Sequence, residues 1–219
     1  MQPVSRETLR PLLPAAADPE QLQALHDLLA TTAVEQGLIG PRETDRLWDR
    51  HIANSAWVVL PAPGLVPHHA SVADIGSGAG LPGLVWAVIR PDLRISLVEP
   101  LLRRATFLQQ AVVALGLTDR VSVIRDRAEK LQGQRCWDIV TARAVAPLDR
   151  LLGWTYPLVG PQGALLALKG ASAVEELERS QQVLRTLQAG APQLVVCGEM
   201  YTASPTRVIV VPRRSPQKG

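Results

Sequence analysis

A chain of 219 residues is long enough for one domain, or one domain with a modest appendage, and for a sizeable core. With 47% hydrophobic and 20% charged residues it is too apolar for a disordered chain. Yet its most apolar window, residues 56–67, is interrupted by Pro61 and Pro63, short of the ~18 unbroken apolar residues that cross a bilayer. The 23 basic and 20 acidic side chains leave a formal charge of +3, and only Lys130, Lys169 and Lys218 are lysines. Arginine forks onto phosphate and stacks on bases, so a polyanionic partner is permitted, though charge alone does not name one. Cys136 and Cys197 give neither a disulfide framework nor metal-ligand spacing, and the start of the chain has no basic cluster followed by an apolar run. A cytoplasmic protein without a metal, a membrane segment or a signal peptide is expected.

Residues 19–36 place Leu22, Leu25, Leu28, Leu29 and Val34 near a 3.6-residue period, with Gly37 as a stop; residues 44–60 do the same with Leu47, Trp48, Ile52, Ser55, Ala56 and Val59 before Pro61-Ala62-Pro63-Gly64. Two helices are predicted there. From Ser71 onward the pattern changes: β-prone runs at 72–75, 94–99, 121–124, 137–142 and 164–168 alternate with helical stretches at 81–89, 102–115, 148–159 and 172–188. Such alternation predicts βαβ units and a parallel sheet with right-handed crossovers. Residues 193–201 and 207–212 are joined by Thr202-Ala203-Ser204-Pro205, too short for a crossover, so they should form a terminal antiparallel hairpin and complete seven strands. The expected organisation is an N-terminal helical extension (1–66), a doubly wound α/β, Rossmann-like domain (67–212) and a basic tail (213–219).

The first strand runs into Asp74-Ile75-Gly76-Ser77-Gly78-Ala79-Gly80-Leu81-Pro82-Gly83, a strand-to-helix turn whose glycines let backbone approach a ligand closely. Read from Gly78 through Gly80 and Gly83 it also satisfies GxGxxG, so a nicotinamide-dependent oxidoreductase stays open. Asp74 argues against it: a carboxylate there repels a pyrophosphate but attracts a cationic amino group, which S-adenosylmethionine carries and which comes without phosphate. The terminal hairpin, typical of methyltransferase sheets, points the same way. Glu99, about twenty residues past the loop and ending the second strand, is placed to accept from two ribose hydroxyls, which both nucleotide readings require. Arg125-Asp126-Arg127-Ala128-Glu129 follows the third strand at the same sheet edge, where it could meet an adenine.

Taken together, Arg50-His51-Ile52-Ala53-Asn54-Ser55, the 73–83 turn, Glu99-Pro100, Arg103-Arg104, Arg127-Ala128-Glu129, Thr141-Ala142-Arg143-Ala144 and Ala167-Leu168-Lys169-Gly170 resemble one family, in order and over most of the chain. It is the bacterial 16S ribosomal RNA guanine-N7 methyltransferases, named after glucose-inhibited division, type B. The resemblance implies the class I methyltransferase fold, S-adenosylmethionine as cofactor, 16S RNA or the small ribosomal subunit as partner, and methylation of one guanine near the decoding centre. It also implies that loss of activity gives low-level streptomycin resistance. Its cofactor contacts fall on Gly76, Leu81, Ala128, Glu129 and Arg143, beside the Asp74, Gly78 and Glu99 read from the loop.

The chemistry agrees with that resemblance. Guanine N7 is a bare acceptor on the major-groove edge, so its lone pair attacks a sulfonium methyl without prior deprotonation. Alignment, not a general base, is what the enzyme must supply. The fourth strand accordingly ends Thr141-Ala142-Arg143-Ala144, without the Asn/Asp-Pro-Pro-aromatic loop of amino-methylating enzymes, and Cys136 lies at its amino end, far from any cofactor. Arg143 is placed to meet the cofactor's carboxylate or an RNA phosphate, and Lys169 to contact phosphate or guanine O6. His51 and Asn54 are expected to close the site or position the guanine, and with Lys169 form the expected catalytic set. Arg42, Arg46 and Arg50 recur every four residues, a stripe that could track a phosphate backbone, although Asp45 and Asp49 interleave with it. Arg103-Arg104 and a flexible tail with Arg213, Arg214 and Lys218 could add to the RNA approach. A monomer is expected. Methyl transfer to a small molecule or protein, and a cofactor-sensing module without catalysis, remain the other readings.

Overall fold

Strands that alternate with crossover helices bury both faces, and their residues must then feed two cores in alternation. The computed structural model, which describes residues 4–60 and 64–214, shows this arrangement. Strands β1 (Ser71–Ile75), β2 (Arg94–Val98), β3 (Val121–Ile124), β4 (Trp137–Arg143), β5 (Val159–Lys169), β6 (Gln193–Cys197) and β7 (Thr206–Pro212) form one sheet ordered β3-β2-β1-β4-β5-β7-β6. β1 to β5 are parallel, and β7 runs antiparallel between β5 and β6. The doubly wound fold and the terminal hairpin are thus present. The strand order reverses between β1 and β4, and ligands bind at the carboxyl ends beside such a switch point.

Val72, Ile139, Leu166 and Leu168 face one core with Leu84, Trp86 and Phe107, from the helices Gly83–Ile89 and Leu102–Ala114. Ala73, Val140, Leu165 and Ala167 face the other, with Leu148, Leu152 and Leu184 from the helices Leu148–Thr155 and Gln181–Thr186. The N-terminal extension belongs to the first core: Leu22, Leu25, Leu29, Ile52 and Trp57 are buried in the same cluster. Hydrogen bonds that fasten it include those from Trp86 Nε1 to the Ser55 carbonyl (2.8 Å), from Gln21 Nε2 to the Leu115 carbonyl (2.6 Å) and from Thr206 Oγ1 to the Asn54 carbonyl (2.8 Å).

Several elements depart from the sequence reading. The first expected helix is α-helical over Pro19–Leu28 and then π-helical over Leu29–Ala33. The second winds as a 3-10 helix (Pro41–Arg46), a π-helix (Leu47–Ala53) and a short α-turn (Asn54–Ala56). Apolar periodicity reports which face is buried, but does not fix which carbonyl each amide bonds, and π-turns cluster at functional sites. The 172–188 stretch is two helices, Ala173–Arg179 and Gln181–Thr186, parted at buried Ser180, whose Oγ donates to the Glu176 carbonyl (2.7 Å). Within the charged 125–129 run a short helix, Ala128–Leu131, begins. β6 ends at Cys197 because Gly198 turns with φ +86° and Tyr201 stacks on Trp57, 5.3 Å between centroids. The proline stop at Pro61-Ala62-Pro63, the first three residues and the tail from Ser215 to Lys218 lie outside the described residues. Among the described residues no helix is long and apolar enough to cross a membrane.

Candidate active site

β1 carries Asp74 to the switch point, where its carboxylate is fully buried behind the glycine turn. Oδ2 accepts from Ser77 Oγ (2.7 Å) and the Gly83 amide (3.0 Å), whereas buried Oδ1 has no hydrogen-bond partner among the described residues. Burial pushes the carboxyl up to about 6; the bonds from Ser77 and Gly83 and the charge of Arg143 oppose that shift, and the charge of Glu99 adds to it. An acceptor oxygen that is buried and unpaired is costly, and a cationic donor is what would relieve it. The turn itself needs glycine. Gly76 has φ +67°, and a Cβ there would lie 2.7 Å from Val145 Cγ2; a Cβ on Gly83 would meet Leu97 and sit 2.7 Å from Asp74 Oδ2.

The turn is tied to the end of β2. The Gly76 and Ser77 amides donate to the Val98 carbonyl (2.9 and 3.2 Å), and the Gly78 amide donates to Glu99 Oε2 (3.0 Å). Glu99 is 1% exposed, its other oxygen accepts from the Leu101 amide (3.0 Å), and Arg104 approaches to 3.9 Å. The carboxylate expected to meet a ribose therefore also holds the loop in shape. Leu81 is buried just past the turn; buried Ala128 and exposed Glu129 open the short helix after β3, at the same edge of the sheet.

Beyond the ends of β4 and β5 opens a cleft of about 830 Å³, which brings together His51, Asn54, Arg143 and Lys169 from three separate segments. Val145, 37% exposed, lines it and also abuts Gly76, so the cleft and the glycine turn share a wall. Arg143 Nη2 lies 3.0 Å from His51 Nδ1, and His51 Nε2 lies 3.0 Å from Glu43 Oε2. Burial, with the Arg143 charge next, holds His51 below its ordinary value against the pull of Glu43; burial also lowers Arg143, which the Asp74 charge opposes. Asn54 donates to the Arg50 carbonyl (3.1 Å), while its buried Oδ1 has no partner among the described residues.

Lys169 lines the cleft as expected, but its ammonium is already engaged. Its side chain is 8% exposed, and Nζ is bound at 2.7 Å to both Glu176 Oε2 and the Ala146 carbonyl, while the same Glu176 oxygen accepts from the Leu148 amide (2.8 Å). Here the ammonium braces the segment after β4 against the helix Ala173–Arg179. The arginine stripe also dissolves: 3-10 followed by π winding does not keep residues four apart on one face, and of Arg42, Arg46 and Arg50 only Arg50 lines the cleft. Arg179 and Arg207 line it as well, neither singled out by the sequence. Trp48 stacks on His26, with centroids 5.0 Å apart. Arg213 is no free tail residue; it lies over the Tyr156 ring at 5.1 Å and bonds to Gly163 at the opposite end of the sheet. Cys136 is exposed and Cys197 buried, its thiol pushed up to about 11 by burial, and neither lines the cleft. Glu43, Val145 and Glu176 carried no sequence signal, because each acquires its place only through packing against distant segments.

Residues 18–204 match the family described as rRNA small subunit methyltransferase G (GidB). The chain is 54% identical over 185 residues to the ribosomal RNA small subunit methyltransferase G of a Nocardioides strain, covering 84% of this chain and 72% of that protein. It is 50% identical over 192 residues to the protein of the same name from Salinispora tropica, covering 85% and 78%. Among solved structures, a SAM-dependent O-methyltransferase from Thermotoga maritima superposes with a TM-score of 0.55 at 11% identity, over 76% of this chain and 67% of that one, a likeness of fold.

Proposed function

The chain belongs to the rRNA small subunit methyltransferase G family and is an S-adenosylmethionine-dependent rRNA methyltransferase, and we propose that its acceptor is the N7 of a guanine in 16S ribosomal RNA. The cradle fits the cofactor, which supplies a methyl group on a sulfonium centre. The single observation that carries the reading is the fully buried Asp74 carboxylate behind the glycine turn, its Oδ1 without a partner among the described residues, next to a separate arginine-rimmed cleft. In our reading Asp74 receives the cofactor's ammonium, Gly76, Gly78 and Leu81 shape the cradle, and Arg143 meets the carboxylate. Glu99, Ala128 and Glu129 bound the adenosine end.

The cleft takes the base, with Val145 on the wall it shares with the turn. Guanine N7 enters as a nucleophile that has no proton to lose, so the residues of the cleft orient and desolvate it instead of deprotonating it. Asn54 Oδ1, buried and without a partner among the described residues, is suited to a donor on the entering base. Arg50, Arg179 and Arg207 come from three elements around the mouth and are placed for the phosphates on either side. Lys169 works from behind, keeping the 144–147 segment in position through Glu176.

The test is transfer of a labelled methyl group from S-adenosylmethionine to small subunits and to naked 16S RNA, both from cells lacking this protein, followed by nucleoside identification. Label in 7-methylguanosine at one position is expected. Label in another nucleoside, or none in either substrate, would move the acceptor elsewhere.

A further inference from the structure

We propose that Glu43 and His51 are positioning residues for Arg143: they hold the imidazole as its Nε2–H tautomer, so that its Nδ1 lone pair fixes the guanidinium between the cleft and Asp74. The argument starts from the donor inventory. An arginine has only N–H donors and stays charged, so at 3.0 Å from Arg143 Nη2 the His51 Nδ1 must be an acceptor. A neutral imidazole then carries its proton on Nε2, and at 3.0 Å from that atom Glu43 Oε2 can only accept. Two contacts on opposite sides of the ring demand the same tautomer.

The backbone serves the same end. Glu43 lies on the 3-10 helix and His51 on the π-helical segment, eight residues on, where the His51 carbonyl is further held by Ser55 Oγ at 2.7 Å. The charged groups acting on the ring are Glu43 from the 3-10 helix, Arg50 from its own element and Arg143 from β4; Asp74 acts in turn on Arg143 from β1. A protonated ring would turn a second N–H toward Arg143 and add a like charge, expelling the guanidinium. Burial and Arg143 both favour the neutral ring, as the arrangement requires. Through Glu43 and His51 the N-terminal extension therefore acts on the cofactor side of the site by way of Arg143.

This inference rests on Arg143 being a cofactor contact, and the test separates the two. Imidazole ¹⁵N spectra of the full chain without ligand should show His51 neutral, protonated at Nε2, with Nδ1 as acceptor, and Glu43→Ala should yield mixed tautomers. S-adenosylhomocysteine affinity should be lost further through His51 as the pH falls below the ordinary histidine range, beyond the fall that Asp74 protonation causes. His51→Asn presents an amide oxygen to Arg143 and cannot titrate, so only the Asp74 part should remain. An Nδ1–H or charged ring at neutral pH, or identical pH profiles for His51→Asn and the parent protein, overturns the proposal. The correct tautomer together with an Arg143→Gln protein of unchanged affinity supports the positioning chain and refutes the cofactor contact.

Discussion

Asp74→Asn should make the ligand-free protein more stable and its cofactor binding worse. The carboxyl sits fully buried, with its pKa at about 6 against an ordinary 3.8. A folded-state pKa above the unfolded one means the native state holds the proton more tightly. The group thus costs nothing below about pH 4, and its full penalty is present above about pH 6. A shift of about 2 units at ~1.36 kcal/mol each sets that penalty near 3 kcal/mol, undiminished by solvent because no part of the residue is exposed. Asparagine keeps an oxygen for Ser77 Oγ and the Gly83 amide, which alanine would abandon, but trades the unpaired oxygen for unpaired donors. The net gain at about pH 7.5 should be ~1–3 kcal/mol. S-adenosylhomocysteine retains the ammonium and lacks the sulfonium, so it isolates the contact in question. Losing a charge-assisted hydrogen bond of ~1.5–3 kcal/mol should weaken its binding by roughly 10- to 150-fold. Urea unfolding across a pH series and calorimetric titration supply the two readouts. An Asp74→Asn protein that is less stable at about pH 7.5 and binds S-adenosylhomocysteine as well as the parent does would refute the reasoning.

Other substitutions probe the packing and the RNA face. Gly83→Ala drives a Cβ against Leu97 and Asp74, and should cost ~1–3 kcal/mol while displacing the Asp74 carboxylate and weakening cofactor binding, both measurable by unfolding and titration. Lys169→Ala strands Glu176, whose side chain is 12% exposed, and should destabilise by up to ~3–5 kcal/mol; the Lys169→Ala/Glu176→Ala pair should be less than additive in a double-mutant cycle. Leu25→Ala, at a fully buried position shared by the extension and the sheet, should cost ~2–5 kcal/mol and lower one cooperative transition instead of splitting it. Replacing Arg50, Arg179 and Arg207 together by glutamine should reduce the log–log salt slope of binding to a single-stranded RNA by ~2, with cofactor affinity unaffected.

Much of this was readable in advance, for physical reasons that also mark where the reading ends. Strand–helix alternation and a short final connection dictate the seven-stranded sheet, because local period and loop length are properties of adjacent residues. Asp74 and Gly83 were visible for the same reason: the two ends of that hydrogen bond lie nine positions apart in one turn. Glu43, which bonds His51, and Glu176, which bonds Lys169, were not, since each pairing follows from a backbone winding or a helix placement that the residue types leave open. The arginine stripe failed likewise, because spacing by four means one face only if the helix is an α-helix.

The most direct test of the account replaces a single atom. Small subunits reconstituted with 16S RNA carrying 7-deazaguanosine at the mapped position keep the base's shape and its O6, but present a C–H where N7 would attack. If the nucleophile is the N7 lone pair, these subunits should bind like unmodified ones, compete as inhibitors and accept no methyl group, while the guanosine control is labelled. Methyl transfer to the 7-deaza position itself, or elsewhere on that base, would contradict the account.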